Sequence, residues 1–162
     1  GAGTTQMTWK KALDLTRQHG DIFTLDLTED VTVVHAGETP DDTGTLAAGR
    51  VMATILRSAT HGEAREDRLP DLELGGTFDV TRILATQGVH LRARGREVDA
   101  STLDYNPRTS VTTILGRPGR TATIRTQGAP QVVRAEKFIW RMDENAALDT
   151  VTIIKGVTSG GE

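Results

Sequence analysis

The residues that could do chemistry in this chain are few and scattered. The histidines are His19, His35, His61 and His90, and their spacing matches no metal-ligand pattern. Cysteine is absent, which removes disulfides, thiolate metal sites and cysteine nucleophiles together. Adjacent carboxylates occur at Asp41–Asp42 and Glu66–Asp67, within stretches rich in turn residues. Solvated loop charge is their default reading, because glycoside hydrolysis needs two carboxylates held across a cleft. No G-x-S-x-G, Walker-type loop or H-E-x-x-H is present. The segment "GRPGR" at 116–120 has two glycines but lacks the Lys-Ser/Thr and helix of a phosphate loop, and reads as a hairpin turn. These residues lead us to expect no catalytic group, no metal and no cofactor.

Charge is unevenly spread. The net charge is −3, yet residues 1–91 carry 8 Lys/Arg against 14 Asp/Glu, and residues 92–162 carry 11 against 8. A mildly basic half could meet phosphates. Its bland reading is a solvated strand face on which arginine alternates with apolar residues. Nucleic-acid binding is not expected, since the chain is acidic overall and its aromatics are not interleaved with the arginines.

The elements that must position these residues have a period of two. In "GVHLRAR", Val89, Leu91 and Ala93 share one face, and His90, Arg92 and Arg94 share the other. "SVTTIL", "TATIRT" and "DTVTIIKG" behave alike, and turn signals such as "NPRT", "GRPG", "QGAP" and "DENAA" separate them. With 25 threonines and only 4% aromatics, the chain suits half-buried strands around an aliphatic core. An all-β, antiparallel architecture follows, in one domain spanning 1–162. The segment "TWKKALDLTRQHG" could be a short helix capped by Thr8 and stopped by Gly20. Met7, Trp9, Leu13 and Leu15 also share one parity, as in a strand, and we expect 5–16 to be extended. No run of about 18 apolar residues is present to span a membrane as a helix. The chain starts Gly-Ala-Gly without an initiator Met, as expected of a trimmed chain with a leader or anchor upstream.

One spacing recurs. Ala100, Leu103 and Tyr105 match Ala135, Phe138 and Trp140, and each set runs into a polar turn and a strand with a Gly (Gly116, Gly156). Thr4, Met7 and Trp9 repeat the spacing, and Ala48, Val51 and Ala53 repeat it more weakly. In a flat strand a step of three changes face. Either the Ala lies outside while the other two lie inside, or a bulge after the Ala restores the parity and bends the strand.

The unit "REVDASTLDYNPRTSVTTILGRPG", followed by "PQVVRAEKFIWRMDENAALDTVTIIKG", resembles the OstA-like family of lipopolysaccharide-transport proteins (LptA, LptC and the N-terminal domain of LptD). The likeness covers residues 89–156 and more loosely 4–56, and 57–76 stands out as a loop insertion. It implies a β-jellyroll, a folded-over sheet of repeated strand units whose apolar groove holds acyl chains. It also implies edge-to-edge association with similar domains in the periplasm of a diderm bacterium. On this likeness Met7, Trp9, Val51, Leu103, Tyr105, Ile124, Phe138, Trp140 and Ile153 point inward as a lipid groove. Arg92, Arg94 and Arg96 would form a rim for lipid phosphates. For any one groove residue, plain core packing is the simpler account. Three functions remain open: a lipid-binding module, a structural β-segment of a larger envelope protein with a closed core, and a carbohydrate-active domain using loop carboxylates. A continuous apolar groove, a filled core and a polar cleft would distinguish them.

Overall fold

Threonine and β-branched residues favour the pleated backbone, and no long stretch here has a helical apolar stripe. The computed structural model describes residues 4–36, 43–57, 78–143 and 145–157. Among these described residues are ten strands: β1 (Thr4–Thr8), β2 (Ala12–His19), β3 (Ile22–Ala36), β4 (Gly44–Arg57), β5 (Phe78–Ala93), β6 (Arg96–Asn106), β7 (Val111–Leu115), β8 (Ala122–Thr126), β9 (Val132–Arg141) and β10 (Thr150–Val157). A single turn of 3-10 helix, Ala146–Leu148, precedes β10. All strands join one antiparallel sheet in the order β1-β3-β4-β5-β6-β7-β9-β10. β2 lies beside β3, and β8 lies between β6 and β9.

This sheet has eight positions across and two limbs at each position. β1 pairs with residues 32–36 of β3, and β2 pairs with residues 22–28 of the same strand. β7 pairs with residues 102–106 of β6, and β8 with residues 96–99. The long strands are interrupted at matching heights. The register shifts between Thr28 and Val31 of β3, between Ala47 and Arg50 of β4, and between Thr86 and Val89 of β5. Glu29, Asp30 and Gln87 adopt positive φ at these breaks, and Lys155 does so where the β9–β10 ladder skips one pair. A left-handed non-glycine residue costs on the order of 1–2 kcal/mol, so the surrounding ladders must hold these turns in place. The result is a crease that crosses the whole sheet.

Residues 5–16 are extended, but they do not form one strand. The crease breaks them at Trp9–Lys11, where the amides of Lys10 and Lys11 donate to the carbonyls of Glu29 and Thr28. The expected turn at 116–120 is present, with Gly119 at φ 83 after Pro118 and an Arg117–Arg120 bridge. Of the expected insertion at 57–76, only Arg57, the last residue of β4, lies within the described residues.

The crease defines two walls. The first holds β2, β7 and residues 22–28, 50–57, 78–86, 102–106, 137–141 and 150–154. The second holds β1, β8 and residues 31–36, 44–48, 89–93, 96–100, 132–135 and 156–157. Buried residues of both walls belong to one hydrophobic cluster, including Leu27, Val51, Leu103 and Phe138 of the first and Val31, Val98, Ile124 and Ala135 of the second. Burying each large aliphatic or aromatic side chain stabilises by roughly 1.5–3 kcal/mol, and this is the main force holding the walls together. Outer faces carry cross-strand ion pairs: Arg50–Asp26, Arg82–Asp104, His90–Asp99 and Arg92–Glu97. Exposed pairs of this kind contribute about 0–1 kcal/mol each and serve mainly to favour one register.

Candidate functional site

The recurring spacing resolves into continuous rows on the inner face. Leu13, Leu27, Val51, Ala85, Leu103, Ile114, Phe138 and Ile153 are successive cross-strand partners over the full width of the first wall. One step further from the crease run Leu15, Leu25, Ala53, Ile83, Tyr105, Thr112, Trp140 and Val151. The second wall answers with Met7, Val33, Leu46, Leu91, Val98, Ile124 and Val133. Leu103 and Phe138 therefore occupy one row, and Tyr105 and Trp140 the next. Ala135 is buried together with Phe138 and Trp140, so the break at Glu136 restores the parity. Ala48, Val51 and Ala53 are likewise all buried around Gly49.

The centre of these rows is closed to solvent. Val51, Leu103, Ile124, Phe138 and Trp140 are buried. Met7, Trp9 and Tyr105 are half-buried against them. Ile153 is different: it is 48% exposed, because β10 has no further neighbour among the described residues. Val133 of the second wall is also 40% exposed. At the opposite edge, Met7, Trp9, Leu13 and Leu15 are only partly covered. The apolar interior thus reaches both edges of the sheet. Thr112 is the polar member of the rows, and its buried Oγ1 lacks a hydrogen-bond partner.

At the margin away from the crease, the walls are joined by charge. Arg94 sits in the β5–β6 turn of the second wall at φ 53. It donates through Nη1 to Asp149 Oδ1 at 2.9 Å and through Nη2 to the Asp143 carbonyl at 2.6 Å. The side chain of Asp149, just before β10 on the first wall, is 0% exposed, and that of Arg94 is 9% exposed. Asp149 also accepts from Trp140 Nε1 at 3.0 Å and from the Asp143 amide at 2.7 Å. Arg96 lies 3.6 Å from Asp149 and 5.2 Å above the Trp140 ring. A buried carboxylate is tolerated only with several such partners. Burial pushes the Tyr105 phenol up, while the Arg94 charge pulls it down.

The three arginines expected at a phosphate rim are thus divided. Arg94 and Arg96 are committed to Asp149, and Arg92 is exposed and paired with Glu97. Sequence reading missed Asp149, since "DENAALD" carries only a turn signal. The available hint was Arg96, which shares inward parity with Val98 and so requires an anion. His61, Asp41, Asp42, Glu66 and Asp67 lie outside the described residues, while His19 and His35 are exposed and His90 pairs with Asp99. No protein-family model, curated protein or solved structure matches the chain.

Proposed function

We propose that the chain is a non-enzymatic lipid-binding and lipid-transport module of the OstA-like lipopolysaccharide-transport type. On this reading the creased sheet is a β-jellyroll that takes acyl chains between its walls and joins similar domains edge to edge in the periplasm. The observation that carries it is the set of apolar rows that cross the sheet and end at the exposed Ile153 and Val133 on one side and the partly covered Leu13 on the other. A chain entering there would gain about 0.8 kcal/mol per CH₂ buried. Entry to the centre requires the walls to part, since Phe138 and Trp140 are fully packed.

The strand count supports edge pairing. Eight alternating positions leave β1–β2 and β10 running in opposite directions. Copies stacked in one orientation would therefore meet as antiparallel strands, with Leu13 and Leu15 near Val151 and Ile153. The packed centre favours a second reading, in which the module only mediates assembly. Mass spectrometry of copurifying lipids, with titration of a dansyl-labelled fatty acid, separates the two. Bound acylated lipid and saturable probe binding are expected. A folded protein that binds neither, yet still self-associates, would leave the assembly reading alone standing.

A further inference from the structure

We propose that Asp149 forms a latch that holds the two walls closed over Trp140, and that releasing it opens the apolar interior. The functional half of this inference rests on the acyl-binding reading above; the mechanical half does not. The argument starts from topology. The ion pairs Arg50–Asp26, Arg82–Asp104, His90–Asp99 and Arg92–Glu97 each join neighbouring strands of one wall, and Lys10–Asp30 and Lys155–Glu136 join neighbours at the crease. Arg94 and Arg96 instead reach from the second wall to Asp149 on the first.

The position suits a latch. The crease closes one side of the folded sheet, and the Asp149 cluster lies toward the opposite margin, beyond the row that holds Tyr105 and Trp140. It covers Trp140, the largest fully buried side chain among the described residues. Trp140 is tied in twice, by its Nε1–H to Asp149 and by Arg96 over its ring. Chemistry also makes the device two-state. A buried carboxylate with all its partners is stable, but with one partner removed the remaining charges must reach water. Asp149 is fully enclosed and Arg94 nearly so, and for them to reach water the β5–β6 turn must separate from the β9–β10 connection.

The test uses the full chain with Trp9→Phe, which leaves Trp140 as the single tryptophan. Asp149→Asn removes the central charge. Arg96→Gln is the milder variant, lifting only the ring cap and the longer ion pair. Glu97→Gln is the control, because its partner Arg92 lies on the same wall. Acrylamide quenching of Trp140 and binding of the dansyl fatty acid are read together, with circular dichroism to establish folding. Both quenching and probe uptake should rise about twofold or more in Asp149→Asn and less in Arg96→Gln, as expected for local opening. Glu97→Gln should match the parent. Folded variants with parental quenching overturn the latch. If Asp149→Asn does not fold, Arg96→Gln decides by the same criterion. Increased quenching without probe binding in any protein, the parent included, keeps the latch and overturns the acyl-binding reading.

Discussion

Thr112 shows how a single atom is weighed in this interior. Its hydroxyl is buried between Tyr105 and Trp140 in an otherwise apolar row and has no partner. An unsatisfied buried hydroxyl costs about 1–3 kcal/mol, and valine has nearly the same shape. Thr112→Val should therefore raise the unfolding free energy by about 1 kcal/mol in a urea titration. A loss of stability would mean that the hydroxyl is satisfied in solution. Tyr105 gives a pH signature. Its folded pKa is raised, chiefly by burial. Its contribution is therefore complete below the unfolded phenol value of about 10 and is lost as pH rises through the higher folded value. Tyr105→Phe should flatten the alkaline fall in stability between about pH 9 and 11. An unchanged alkaline slope would show that the phenol reaches solvent.

Strands are the scale at which the sequence was most readable. Alternation alone located Val89–Ala93, Val111–Leu115 and Thr150–Ile154 as strands. The step of three in Ala135–Phe138–Trp140 left two alternatives, an outward Ala or a bulge after it, and the burial of all three residues selects the change of parity. The crease as a whole was not readable, since Glu29, Asp30, Gln87 and Lys155 are not residues that announce positive φ. The split of 5–16 was missed for the same reason. Nor was the latch readable: Arg94 and Asp149 are 55 residues apart and meet only when the walls close. Gly116 is the crease residue with the clearest constraint. A Cβ there would lie 2.5 Å from the Arg120 carbonyl oxygen and 2.7 Å from the Ala122 amide nitrogen. Both are backbone atoms and cannot swing aside. Gly116→Ala should cost on the order of 1–3 kcal/mol, measured by urea unfolding. A neutral result would mean that the 116–121 excursion relaxes freely.

For the whole molecule, the proposed edge pairing would be directional, because the two edges of the sheet run in opposite directions. Ile153→Lys puts charge on the β10 edge and leaves β1–β2 intact. Leu13→Lys does the reverse. If stacking is head to tail, each variant alone should be monomeric by light scattering at concentrations where the parent associates. Mixed together, they should form a dimer and stop there, because the one remaining compatible pair of edges is used up. Self-association of Ile153→Lys alone would point instead to a symmetric contact between like edges.

The crease also sets how amide protons would be lost to solvent. Ladder hydrogen bonds protect the amides on either side, but residues 29–30, 49, 87–88 and 101 fall at or beside register breaks, and 136 and 155 at a skipped pair of the ladder. Deuterium should therefore enter first at short stretches far apart in the chain and contiguous in space, as one seam through an otherwise protected sheet. Each wall would then exchange as its own unit, on its own clock.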